Sequence, residues 1–300
     1  MTRRRAAPPE KRFGERLAMM ISGKAKLAGV VGWPVGHSLS PRLHGFWLAE
    51  HGIDGAYVPL PVRPEDCRAA LKMLPKLGFA GINVTVPHKQ AAAETMDSLD
   101  AAAERTGAVN TVVVESDGRL AGSNTDGFGF LENLKAGVKG WQPTAGTAVV
   151  VGAGGAARAI VAALLDAGSP ALRLVNRTPA KAEALAADIG GAIDVVAWAD
   201  RDAALADAAL LVNATSLGMR GSAPLQLDLA ALPKAAVVTD IVYAPLETPL
   251  LKAAAARGHR TVDGLGMLLH QARPGFRRWF GVEPKVTPAL RDFVLKDVAG

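Results

Sequence analysis

Short apolar, β-branched runs recur along the chain at residues 27–31, 57–62, 82–86, 111–114, 148–151, 171–175, 210–213 and 236–239. Between them lie stretches whose apolar residues return at helical spacing, among them 67–77, 158–167 and 180–188. The first pattern predicts buried strands and the second predicts helices packed over them. Strands alternating with helices imply an α/β fold built on a parallel, doubly wound sheet. At 300 residues the chain is long enough for two domains.

The pattern is clearest at residues 147–178. A strand ends in the turn Gly152, Ala153, Gly154, Gly155, Ala156, Ala157, and an alanine-rich helix follows. Gly168 and Pro170 stop that helix before the next strand. This is one βαβ unit of dinucleotide-binding, Rossmann-like form. Gly152 serves the tight turn, Gly154 lets backbone N–H groups approach a pyrophosphate, and Ala157 stands where the helix packs closely on the strand. The helix N-terminus adds unpaired N–H donors and a positive dipole end. The second strand ends in Asn176, Arg177 and Thr178, with Lys181 one turn on. An NAD site usually places an acid there. A cation among neutral hydrogen-bonders suits a 2′-phosphate, so the expected cofactor is NADP.

Other polar groups gather at strand ends. Ser38 and Ser40 precede a helix opened by Pro41. Ser40 reads as its N-cap, or both hydroxyls as a carboxylate site. Asn83 and Thr85 share one face of a strand, and Lys89 follows Pro87 at the next helix start. They fit a polyol or carbonyl site, or an exposed strand face beside a surface lysine. Asn110 enters the strand after Gly107. Asp126 stands where another helix begins, as an N-cap or as a reacting acid. In an open α/β sheet, polar groups at the carboxyl ends of strands belong to the ligand crevice.

Net charge is +6. Much of it lies in a segment near the start, where Arg3, Arg4, Arg5, Lys11, Arg12 and Arg16 outweigh Glu10 and Glu15. With Pro8 and Pro9, residues 1–20 read as a disordered basic tail. Its acids and scarce serine argue against a targeting peptide. A nucleic-acid partner would rest on that tail alone. The single cysteine, Cys67, excludes a disulfide framework and reads as a buried hydrophobe. The histidines are scattered, so no metal site is expected. His37, His44 and His88 lie near the polar clusters and read as structural. The apolar stretch at 148–165 holds Arg158 and several glycines, and belongs to the βαβ unit rather than to a membrane span.

The ordered set GWPVGHSLSPRLH, GINVTVPHK, GAVNT, NTDGFG, GAGGAARA, NRT, NATSLGM, DIVY and GMLLHQA resembles the shikimate dehydrogenases. The likeness covers roughly residues 27–271. It implies reversible, NADPH-dependent reduction of 3-dehydroshikimate to shikimate in aromatic amino acid (chorismate) biosynthesis. By the same resemblance Ser38 and Ser40 would hold the substrate carboxylate. Thr85, Asn110 and Gln271 would hold its ring hydroxyls, with Asn83 nearby. Lys89 and Asp126 would form the catalytic pair. Gly152, Ala153, Gly154, Gly155 and Ala156 would cradle the pyrophosphate, and Asn176, Arg177, Thr178 and Lys181 the 2′-phosphate. Ile241 and Gly264 would line the nicotinamide end, and Tyr243 the junction between nicotinamide and substrate. Where the pattern leads one to expect arginine, Lys181 keeps the charge without bidentate geometry.

Residues 21–125 together with 265–300 are expected to form an α/β substrate domain, to which the C-terminal helix returns. Residues 126–264 are expected to form the NADP-binding domain. The implied protein is cytoplasmic, a monomer or homodimer, and acts on a small molecule without nucleic-acid or membrane partners. A quinate/shikimate dehydrogenase of broader substrate and NAD(P) use is the nearest alternative. A folate-type dehydrogenase lacks the paired serines, and a non-catalytic regulator on the same scaffold would not need Lys89 and Asp126.

Overall fold

The structure, a computed structural model, describes residues 21–298. The basic segment 1–20 lies outside the described residues. Strand β1 (Lys26–Gly32) leads into helix α1 (Ser40–Glu50) and strand β2 (Gly55–Pro61). Helix α2 (Cys67–Met73), strand β3 (Phe79–Val84), the short helix α3 (Lys89–Ala93), strand β4 (Ser98–Leu99), helix α4 (Ala101–Thr106) and strands β5 (Thr111–Val114) and β6 (Leu120–Ser123) follow. These strands form one sheet in the order β2-β1-β3-β5-β6-β4.

The first sheet is not wholly parallel. Strand β5 runs antiparallel to both β3 and β6. Against β6 the cause is local: Asp117-Gly118 turns the chain back, with Gly118 at φ 84° and the Glu115 N–H donating to the Arg119 carbonyl. Two other expectations shift. The helix expected at 67–77 ends at Met73, and the strand expected to reach Val86 ends at Val84. Val86 precedes a cis proline and is 70% exposed.

Helix α5 (Asp126–Gly137) opens the second half. It is followed by β7 (Thr147–Val151), α6 (Gly155–Asp166), β8 (Leu172–Val175), α7 (Pro179–Ile189), β9 (Ile193–Val196), β10 (Ala208–Asn213), β11 (Val237–Asp240), α8 (Pro249–Ala256) and β12 (Arg260–Val262). This sheet is parallel throughout, in the order β12-β11-β10-β7-β8-β9. Central strand β7, Thr147–Val151, shows why its sequence is a continuous apolar run after Thr147. Ala148 and Val150 enter the core on one face, Val149 and Val151 the core on the other. Each fully buried valine or leucine contributes roughly 1.5–3 kcal/mol of transfer free energy.

The chain closes with α9 (Leu265–Phe280) and α10 (Pro288–Val298). Both pack on the first sheet: Leu269, Phe276 and Trp279 of α9 and Leu290 of α10 share a core with Val30, Leu43 and Trp47. The Trp279 indole N–H donates to the Val112 carbonyl at 3.0 Å. Helix α5 touches both halves. A Cβ on Gly127 would lie 2.6 Å from Ala163 of α6, and one on Gly129 would lie 2.6 Å from Gln271 of α9. Only glycine permits both approaches.

Candidate active site

Ser38 and Ser40 lie where β1 passes into α1. The helix cap is Leu39, without a side-chain bond, so Ser40 is not the N-cap the sequence suggested. Instead the Ser40 N–H donates to the Ser38 hydroxyl at 3.3 Å, leaving the buried Ser40 hydroxyl free of capping duty. Asn83 lies next to the end of β3, Thr85 follows that strand, and Lys89 is the first residue of α3. Asn110 precedes β5. Asp126 is the first residue of α5, whose cap residue is Thr125. Its carboxylate is therefore not spent on a helix end.

These residues meet in one cavity of about 210 Å³, with Tyr243 from the loop after β11 and Gln271 from α9. Ile241 and Gly264 line the same cavity, as do His37, Met267 and Leu268. A wider cleft of about 820 Å³ is lined by alanines and glycines of α4, α5 and α6 and by polar groups such as Asp100, Asn124 and Asp166. It holds neither Lys89 nor Asp126, so size alone does not mark the chemistry.

The centre of the cavity is an ion pair. Lys89 Nζ lies 2.5 Å from Asp126 Oδ2, and the side chains are 23% and 11% exposed. Asn110 Nδ2 donates to the other carboxylate oxygen at 2.7 Å. The Asn110 carboxamide is also 3.4 Å from Gln271 Oε1. Burial raises the pKa of the Tyr243 hydroxyl, which stays protonated as a donor. A cation beside an acid, ringed by amides and hydroxyls, can bind a polyol and move a proton at one of its oxygens.

The dinucleotide turn lies apart from this cavity, at the carboxyl edge of the second sheet. Gly152 has φ 117°, and a Cβ there would lie 2.9 Å from the Ala214 carbonyl. Its N–H donates to the Val175 carbonyl at 2.8 Å, tying the turn to the end of β8. Above Gly154 and Gly155 nothing lies within 4 Å of a built Cβ. Ala153 and Ala156 complete this open cradle at the start of α6, and it fits a pyrophosphate. Asn176 Nδ2 donates to the Thr178 carbonyl at 2.9 Å, while Arg177, Thr178 and Lys181 are exposed beside it.

A buried network joins this edge to the cavity. Asp240 accepts from Asn213 Nδ2 on both oxygens at 3.0 Å, from the Thr248 hydroxyl at 2.7 Å and from the Val242 N–H at 2.9 Å. Burial raises its pKa. Ile241 and Tyr243 leave directly from this knot.

Three family descriptions match the chain in order. They are "Shikimate dehydrogenase substrate binding domain" at residues 30–112, "Shikimate / quinate 5-dehydrogenase" at 139–219 and "Shikimate 5'-dehydrogenase C-terminal domain" at 264–291. A protein of Paramagnetospirillum magneticum called shikimate dehydrogenase (NADP(+)) is 62% identical over 92% of this chain and 100% of its own length. The chain belongs to the shikimate dehydrogenase family. Among solved members of similar fold, shikimate 5-dehydrogenase from Thermus thermophilus, in complex with NADP(H) and shikimate, is 38% identical with a TM-score of 0.80. That likeness covers 91% of this chain and 99% of the Thermus chain. Quinate dehydrogenase from Corynebacterium glutamicum, in complex with NAD, is 34% identical with a TM-score of 0.84 over 91% of this chain and 99% of its own.

Some members of this family site escape a reading of sequence alone. Tyr57, Thr111 and Thr125 each bond to a cavity residue, but a tyrosine in a strand and threonines beside glycine turns read as core and turn. The signal was composition: the chain has two tyrosines, of which Tyr243 lines the cavity and Tyr57 bonds to the cavity residue Asn83. His88 is structural, with Nε2 2.8 Å from the Val62 carbonyl. His44 is buried and stacked on Tyr57 at 3.9 Å. Among the described residues no group of side chains is arranged to hold a metal, and no helix is long and apolar enough to cross a membrane.

Proposed function

We propose that this protein is an NADP-dependent shikimate dehydrogenase, reducing 3-dehydroshikimate to shikimate reversibly in aromatic amino acid biosynthesis. The observation that carries this reading is the Lys89–Asp126 pair at 2.5 Å, set in a small cavity walled by amides and hydroxyls. Ser38 and Ser40 bind the substrate carboxylate. Thr85, Asn110 and Gln271 bind ring hydroxyls, with Asn83 and Tyr243 completing the wall. Bound NADPH supplies the hydride. As negative charge builds on the substrate carbonyl oxygen, the Lys89 ammonium stabilises it and passes it a proton. Asp126 holds Lys89 in place and accepts from the substrate hydroxyl.

The first sheet with α9 and α10, residues 21–125 and 265–300, then serves as the substrate domain. Residues 126–264 serve as the NADP domain. There the turn from Gly152 to Ala156 takes the pyrophosphate, Asn176, Arg177, Thr178 and Lys181 take the 2′-phosphate, and Ile241 and Gly264 flank the nicotinamide. No acid stands at the end of β8 to hold a bare ribose, which favours NADP over NAD. The enzyme works in the cytoplasm as a monomer or homodimer.

The test is oxidation of shikimate and of quinate by purified protein, each with NADP and with NAD, followed by nicotinamide absorbance. Fast turnover with shikimate and NADP alone is expected. Comparable turnover with quinate or NAD would replace this reading by the broad-specificity relative. No turnover from folded protein that binds shikimate would point to a regulator.

A further inference from the structure

The hydrogen bonds behind Asp126 run in one direction. Amide N–H groups only donate, carbonyl and carboxylate oxygens only accept, and a hydroxyl carries one proton. The Thr125 backbone N–H must donate, and it lies 2.8 Å from Asn110 Oδ1. That contact turns Asn110 Nδ2 toward Asp126 Oδ1 at 2.7 Å. Asn83 Nδ2 donates to the Asn110 carbonyl and to Thr111 Oγ1, both at 3.1 Å. The Thr125 hydroxyl gives its proton to the Gln271 carbonyl at 2.8 Å. Thr111, already accepting from Asn83, sends its own proton to Asn110 Oδ1 at 3.0 Å. Asn83 Oδ1 is left facing Tyr57, whose hydroxyl donates to it at 2.6 Å.

We propose that Tyr57 and Thr111 are positioning residues for the dehydrogenase reaction. With Asn83 they form a directed hydrogen-bond chain that holds the Asn110 carboxamide, and through it the Asp126 carboxylate, in the orientation that faces substrate. Neither residue lines the substrate cavity. The Tyr57 ring is held independently by His44, stacked at 3.9 Å and 4°, and by Trp279 at 6.1 Å. The hydroxyl alone enters the chain, and burial keeps it protonated. Without it, buried Asn83 Oδ1 loses its 2.6 Å donor and is left with the neighbouring His44 ring, toward which the carboxamide can turn. Rotation withdraws the donor from Thr111, whose proton then loses its fixed direction toward Asn110.

This proposal rests on the dehydrogenase reading above. Tyr57→Phe, Thr111→Val, their double variant and Thr111→Ser are compared in shikimate oxidation with NADP. Each hydroxyl deletion is expected to lower kcat/KM for shikimate about tenfold while KM for NADP stays within about twofold. The double variant falls no further than about the worse single, because both cut one chain. Thr111→Ser keeps the hydroxyl and returns to within about threefold of wild type. Urea unfolding confirms that rates are read on folded protein. Wild-type kcat/KM in Tyr57→Phe, single losses that multiply in the double, or a serine variant as slow as the valine variant would each overturn the proposal. A wild type without shikimate turnover would overturn the dehydrogenase reading itself.

Discussion

The proposed substrate cavity and the proposed cofactor edge are built on opposite principles. Around Lys89 and Asp126 the side chains of Asn83, Asn110 and Thr111 and the Thr125 N–H already bond to one another. The edge at Arg177 and Lys181 is open, with exposed cations beside a glycine turn whose outer face meets no neighbouring side chain. The first is pre-organised: its dipoles are aimed before a ligand arrives, so little reorganisation remains for the reaction. The second gathers its contacts from the ligand. A substrate held at a reacting centre needs fixed geometry, whereas a phosphate needs charge and N–H donors within reach. One region should therefore answer to buried chemistry and acid, the other to salt.

The largest contrast should come from removing one cation in each region. Lys89→Ala is expected to lower kcat by at least about a hundredfold with the fold intact. Steady-state rates beside a urea melt check this, and near-wild-type turnover would remove Lys89 from its role. Arg177→Ala should leave kcat nearly unchanged and raise KM for NADPH by roughly ten- to a hundredfold. NADH, which has no 2′-phosphate, should respond little. Equal losses with both nucleotides would sink the 2′-phosphate assignment.

Acid tests the buried side. Burial lowers the pKa of His44 from its ordinary value to about 3. The unfolded chain takes up that proton below about pH 6.5 while the fold refuses it, so stability present above that pH is lost as pH falls toward the folded value. Between pH 7 and pH 5 the wild type should lose about 2 kcal/mol more stability than His44→Phe, which keeps a ring on Tyr57. Urea titrations at the two pH values decide it, and parallel losses would show that His44 is not held neutral. Salt tests the exposed side with the smallest effect. Lys181→Ala should raise KM for NADPH roughly two- to fivefold at low ionic strength, and the difference should fade in about 0.5 M salt. A salt-independent change would mean that Lys181 acts by contact rather than by field.

What the sequence disclosed divides along similar lines. The turn at Gly152 was legible because a steric demand is written into the residue itself. The end of β8 was legible because a missing acid and a present arginine are local facts. Lys89 and Asp126 are 37 positions apart. Their pairing was legible only through the ordered family motifs, since no periodicity joins a helix start in one segment to a helix start in another. Tyr57 and Thr111 were illegible because their proposed roles depend on Asn83, which only the folded sheet brings beside them. The antiparallel β5 was there to be read, since Asp117-Gly118 between two short runs is a hairpin signal. The βα rhythm of the rest of the chain masked it.

Helix α5 carries one further consequence. Its Gly127 abuts the helix that follows the dinucleotide turn, its Gly129 abuts the helix bearing Gln271, and Asp126 stands at its head. Exchanging the second half for a nucleotide-binding unit from another enzyme would therefore cut through a contact surface rather than a linker. By that surface the two halves are coupled, and a chimera would have to rebuild both glycine contacts. A change of cofactor is more simply sought by substitution at the proposed 2′-phosphate rim, residues 176–181, than by trading modules.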